Sequence, residues 1–102
     1  MEDQNLTFEW DFHKNDANVA KHGIDFTDVV TVFRGPMLIT LDSREDYGED
    51  RWAGLGPMSV TTVKVIYTEP AANVIRLISA RKAQSNEQKQ FAKYLQDGLG
   101  AA

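Results

Sequence analysis

The nine-residue run Val74-Ile75-Arg76-Leu77-Ile78-Ser79-Ala80-Arg81-Lys82 constrains this chain more than any other segment. Its apolar and β-branched residues read as a buried strand with cover on both faces. Yet it carries Arg76 in its middle and ends on adjacent cations. Burying a guanidinium costs on the order of several kcal/mol unless a carboxylate or phosphate meets it. Strict alternation places Arg76 with Val74, Ile78 and Ala80, and turns Leu77, Ser79 and Arg81 the other way. Glu87, spaced with Phe91 and Tyr94 as one face of a following helix, is the natural structural partner for Arg76. Arg81 then falls at an exposed strand end beside that helix's N-terminus, a position that attracts anions.

Around this strand the pattern is α+β. Thr7 to Trp10 is a short alternating strand candidate. Asp11 can cap a helix running to His22, with Phe12 and Val19 on one side and Lys14, Asn18 and Lys21 on the other. Gly23 supplies a left-handed stop. Asp25 caps a second helix whose Phe26, Val29, Val30 and Phe33 recur at helical spacing, closed by Gly35-Pro36. Strands are predicted over Met37–Leu41, Arg51–Leu55, Thr61–Tyr67 and Val74–Ala80, with reversals at Gly56-Pro57 and Glu69-Pro70. Short connections favour antiparallel pairing. Ser85 with Gln88 forms a capping box for the last helix. The reading is a single domain over residues 1–102, with flexible ends at 1–5 and 98–102.

Composition removes several functions. With no cysteine there is neither a disulfide framework nor a thiolate metal site. Met1 to Asn5 is polar and acidic, unlike a secretory segment, and no apolar run approaches a membrane span, so the expected compartment is the cytoplasm. The net charge of −4 argues against an extended DNA-binding surface. That charge is unevenly spread: residues 1–50 hold twelve carboxylates against four Lys or Arg, whereas residues 51–102 hold three against seven. A basic cleft can therefore exist on an acidic chain. Lys21-His22 at the end of the first helix and the cations of the Val74–Lys82 strand suggest an anionic substrate or acidic partner. Asp42 to Arg51 fails as a calcium loop, because Arg44 and Tyr47 occupy the third and sixth positions. It reads as a solvated mixed-charge loop in which a carboxylate pair for a divalent metal stays open.

The residues that recur in a known pattern are Phe8-Glu9-Trp10-Asp11 with Lys14 and Asn18, Lys21-His22-Gly23-Ile24 with Phe26, and Val32-Phe33 before Pro36. Asp42, Glu49, Arg51, Tyr67-Thr68 and the stretch from Arg76 to Ala83 with Glu87 complete it. Over roughly nine-tenths of its length the chain resembles the BrnT-type toxins, the ribonuclease half of bacterial type II toxin–antitoxin pairs. The resemblance implies a RelE-like fold: two N-terminal helices, an antiparallel sheet of four strands (five if Thr7–Trp10 joins) and a C-terminal helix. It implies RNA cleavage without metal or other cofactor, inhibition of translation, and a BrnA-like antitoxin through which alone the protein would meet DNA. Lys21, His22, Glu49, Arg51, Arg76 and Arg81 are the implied site: Glu49 or His22 for proton transfer, the four cations for phosphate charge, with acid and base unassigned. The alternative is a catalytically weak antitoxin-binding or co-repressor module. It is favoured by the acidic net charge, by Pro70 where such toxins often carry a basic turn residue, and by a Gly56–Thr62 hairpin without cations.

Overall fold

The computed structural model describes residues 5–44 and 48–100. Of the flexible ends expected at 1–5 and 98–102, residues 1–4 and 101–102 lie outside the described residues, as do Glu45, Asp46 and Tyr47 of the mixed-charge loop. The elements run β1 (Thr7–Glu9), α1 (Phe12–His22), α2 (Phe26–Val29) continuing as a 3₁₀ helix (Val30–Arg34), β2 (Leu38–Asp42), β3 (Arg51–Met58), β4 (Thr61–Ala71), β5 (Val74–Lys82) and α3 (Ser85–Gly100). The five-stranded sheet has the order β1-β5-β4-β3-β2. β1 lies parallel to β5 and the remaining pairs are antiparallel, so the sheet is mixed. No helix among the described residues is long and apolar enough to cross a membrane.

Helix boundaries follow local chemistry. The Asp11 carboxylate accepts from the His13 and Lys14 amides at 2.8 and 3.1 Å, and Gly23 ends α1 in the left-handed region at φ 71°. Asp25 caps α2 by accepting from the Thr27 amide at 3.0 Å. The β-branched run Val29-Val30-Thr31-Val32 then tightens into 3₁₀ geometry. This tightening turns Val32 fully inward in place of Val30. At α3 the capping box is shifted by one residue from the expected Ser85 and Gln88: Glu87 accepts from the Gln84 amide at 2.8 Å. α3 also continues to Gly100, through residues expected in the tail.

Both predicted reversals prove to be interior strand positions. Gly56 lies within β3, where close packing calls for glycine: a Cβ would stand 2.7 Å from Val32 Cγ1 and 3.2 Å from the Pro36 carbonyl. The chain turns instead at Ser59, with φ 59°. Pro70 falls in a register shift between Thr68 and Ala71 of β4, where a missing N–H is tolerated, and Asn73 at φ 64° makes the turn into β5.

A second register shift changes the reading of β5. Ile66 pairs with Ser79 and Tyr67 with Leu77, so Ile78 is an extra residue. Leu77 and Ala80 consequently both face the core with Val63, Val65, Phe26, Val29 and Val32. Arg76 and Arg81, an odd number of residues apart, emerge on the same side of the sheet rather than on opposite sides. On that side α3 packs through Phe91 against Leu55 and Ala83, with Leu38 and Leu95 at the margin.

α1 is rotated relative to expectation. Its polar stripe meets the sheet: Asn18 is 5% exposed, while Phe12 is 80% and Val19 41% exposed. β1 pairs only with Val74 to Arg76, leaving the far half of the β5 edge without a strand. Asn18 fills the gap, donating from Nδ2 to the Ala80 carbonyl at 2.9 Å and accepting the Ala80 amide on Oδ1 at 3.0 Å. The same Nδ2 donates to the Ile24 carbonyl at 2.9 Å. One side chain thus replaces a strand and closes the α1–α2 turn. Asn18→Ala should cost about 2–4 kcal/mol, because buried backbone groups lose their partners. Asn18→Asp should cost at least as much through lost donors and a buried charge. Urea midpoints at unchanged slope measure both. A loss under about 0.5 kcal/mol would show that the edge is closed in another way.

Candidate active site

The Asn18 bracket sets the last turn of α1 beside the far end of β5. There a groove of about 230 Å³ is walled by Lys21 and His22 of α1, Lys64 and Ile66 of β4, and Ser79 and Arg81 of β5, with Arg44 at its margin. Lys21 and His22 also complement the negative end of the helix dipole. The groove brings together three of the six residues picked out by sequence, Lys21, His22 and Arg81, and adds Lys64 and Arg44.

Lys64 and Arg81 are register partners on neighbouring strands, a like-charge pairing that is unfavourable alone. Glu87 reconciles them. Its carboxylate accepts a bidentate pair from Arg81, Nη1 to Oε1 at 2.8 Å and Nη2 to Oε2 at 2.9 Å, and Lys64 Nζ stands 3.5 Å from Oε2. Arg81 Nη1 also donates to the Lys82 carbonyl at 3.1 Å. Hydrogen bonds from Arg81 foremost, then the Gln84 amide and the nearby charges, hold the Glu87 carboxyl down at about 2 against the opposing effect of burial. Glu87 in turn raises the Arg81 pKa. The partnership expected for Arg76 therefore belongs to Arg81, which is not a free strand-end charge.

Arg76 is neither buried nor paired with Glu87. It lies opposite Glu9 in the β1–β5 register, donates from Nε to Glu9 Oε2 at 2.6 Å, and keeps 48% of its side chain exposed. The bulge at Ile78 removes it from the apolar face that strict alternation assigned to it. Glu49 is exposed in the segment leading into β3, and Arg51 opens β3 opposite Asp42; neither lines the groove. Asp42 accepts from Arg44 Nε at 2.8 Å and Nη2 at 3.0 Å, and those bonds foremost lower its pKa. Among the described residues no three His, Asp or Glu side chains group as metal ligands.

Sequence reasoning missed Lys64 because an isolated lysine in an alternating strand reads as a solvated outward residue. The available signal was its place opposite Arg81, visible only once the β4–β5 register is known. Arg44 lay hidden in the mixed-charge loop.

Because the folded-state pKa of Glu87 lies below its ordinary value, its stabilisation is complete above about pH 5 and fades as pH falls toward 2. The shift corresponds to at most about 3 kcal/mol. Glu87→Gln should therefore be less stable than wild type at pH 7, with the gap narrowing toward pH 3 in parallel urea titrations. A gap constant over that range would contradict the pairing.

Residues 10–87 match the family described as the ribonuclease toxin BrnT of type II toxin–antitoxin systems. The structure is similar to the crystal structure of the Brucella abortus ribonuclease toxin BrnT, with a TM-score of 0.62 and 26% identity over 78% of this chain and 99% of that one. No curated protein matches. The family match takes in well over half of the sequence and includes both walls of the groove, so the chain belongs to the BrnT family of ribonuclease toxins of type II toxin–antitoxin systems.

Proposed function

We propose that this toxin-family member is a metal-independent endoribonuclease whose active groove lies between Lys21-His22 and Lys64-Arg81. The observation that carries the proposal is the convergence of these four side chains, from three separate elements, on one groove of an acidic chain. In the reaction, a ribose 2′-oxygen forms a bond to the adjacent phosphorus and the bond from phosphorus to the 5′-oxygen breaks. One proton leaves the 2′-hydroxyl and one is delivered to the departing 5′-oxygen. Lys21, Lys64 and Arg81 supply cations where charge builds on the phosphorane, the task a metal ion performs elsewhere. Glu87 holds the Arg81 fork in place. His22 is the imidazole of the groove and is placed to give or take a proton. Glu49 and Arg51 are assigned no step, since they stand outside the groove lining.

A type II toxin works against an antitoxin partner. We assign a BrnA-like protein to that role, place the pair in the bacterial cytoplasm, and read arrested translation as the result of RNA cleavage. DNA would be met only through the antitoxin. The alternative, a catalytically weak antitoxin-binding module, has one observation in its favour: Glu87 already neutralises Arg81.

RNA cleavage should persist in excess EDTA and leave 2′,3′-cyclic phosphate or 3′-phosphate ends. His22→Ala should lower kcat by about 10²- to 10⁴-fold with little change in melting. Arg81→Ala should lose activity and also stability, because Glu87 is left half-paired, whereas Arg76→Ala should leave stability within about 1 kcal/mol as an exposed pair does. Cleavage abolished by EDTA and restored by magnesium would overturn the metal-free mechanism. A partner complex without growth arrest on induction would favour the binding module.

A further inference from the structure

A second recess, of about 400 Å³, opens along the same α1–β5 seam and is lined chiefly by Glu9, Trp10, Asp11, Lys14, Arg76 and Ile78. Its chemistry differs from that of the active groove. Two cations are balanced by two carboxylates, and the remaining walls are the indole of Trp10 and the aliphatic residues Leu77 and Ile78. A phosphate gains little from such a balance. A nucleobase fits it: its faces lie against Trp10 and Ile78, and its edges carry the donors and acceptors that a guanidinium and a carboxylate read. Trp10 is a steadied platform, because its ring meets Phe26 edge-on at 5.9 Å between centroids. Asp11 Oδ1 is committed to the backbone amides that start α1, whereas among the described residues Glu9 Oε2 is held only by the side chain of Arg76. Glu9 and Arg76 are both nearly half exposed, and an exposed pair of this kind opens at little cost.

The recess is also in the right place. Lys14, Asn18 and Lys21 form one stripe of α1, so Lys14 at the recess and Lys21 at the groove stand about 10 Å apart along the helix. A single strand with its reactive phosphate between Lys21 and Arg81 would run toward Lys14 and Arg76 within one or two nucleotides. We propose that this recess is a base-reading subsite that holds a nucleobase flanking the scissile phosphate, with guanine the base that satisfies both readers. Guanine O6 and N7 take the Arg76 fork while N1–H and N2–H donate to Glu9. The inference rests on the ribonuclease reading for its biological meaning, but its chemistry can be tested without cleavage.

The test is equilibrium binding, by fluorescence anisotropy at fixed salt, of 2′-O-methyl oligouridylate hexamers with and without one central guanine. These strands lack the attacking hydroxyl. Wild-type protein should bind the guanine-containing strand about five- to tenfold more tightly. Arg76→Ala and Glu9→Gln, the latter nearly isosteric and at an exposed position, should each reduce that ratio to about one. Equal binding of the two strands by wild type, or a ratio retained in both variants, would overturn the subsite. So would a recess whose variants weaken only the antitoxin complex, which would assign it to a protein partner. The same sequences carrying 2′-hydroxyls are assayed for cleavage in parallel. Their resistance would count against the ribonuclease reading and leave the binding ratios to judge the subsite.

Discussion

One carboxamide stands in for a missing strand. β1 covers only the first half of the β5 edge, and the Asn18 side chain completes the other half by bonding both backbone groups of Ala80. An amide side chain is the natural substitute, because it offers a donor and an acceptor in the same arrangement as a peptide group. Its burial obliges the polar stripe of α1 to face the sheet, with Phe12 and Val19 left outside. That inversion carries Lys21 and His22 to the end of β5 and Lys14 to its middle. The helix, the turn to α2 and both recesses on the seam are consequences of the same contact.

Collecting cations in so small a protein creates a repulsion that has to be answered locally. Lys64 and Arg81 face each other across β4 and β5, and Glu87 from the first turn of α3 lies within reach of both. The carboxylate also closes the cap of α3 through the Gln84 amide, so helix placement and charge balance are one interaction. Its side chain is only 12% exposed, and the hydrogen bonds from Arg81 foremost depress its pKa despite that burial. The arrangement leaves the groove with excess positive charge while the chain as a whole stays acidic. Net charge is thus a poor guide to what such a protein binds; the local field in the cleft decides.

How much of this was legible in the sequence varies with the kind of signal. Asp11, Gly23 and Asp25 act through bonds to near neighbours, so their caps could be read directly. The strand set and the α+β class followed from period and turn residues, and β1 completes a sheet that is mixed rather than wholly antiparallel. What failed was whatever depends on register. A single extra residue at Ile78 reverses alternation along β5, and with it the fates of Arg76 and Arg81: the first is exposed with Glu9, the second bonded to Glu87. Asn18 falls on the polar side of α1, as the spacing indicates, yet it is buried against the sheet edge. Nothing local to residue 18 reports that a strand edge elsewhere has run out. Lys64 was invisible for the same reason, and Glu49 and Arg51 were drawn into the site by a pattern whose spatial meaning depends on the fold.

The claim on which all of this turns is that Asn18 closes the sheet edge at Ala80. Native-state hydrogen exchange of the Ala80 amide tests it most directly. In wild-type protein this amide should exchange as slowly as those in the centre of the sheet, at rates set by global unfolding. In Asn18→Ala it should become fast while the centre of β4 remains protected. Rapid exchange of Ala80 in the wild type, or slow exchange that survives loss of the asparagine, would contradict the account.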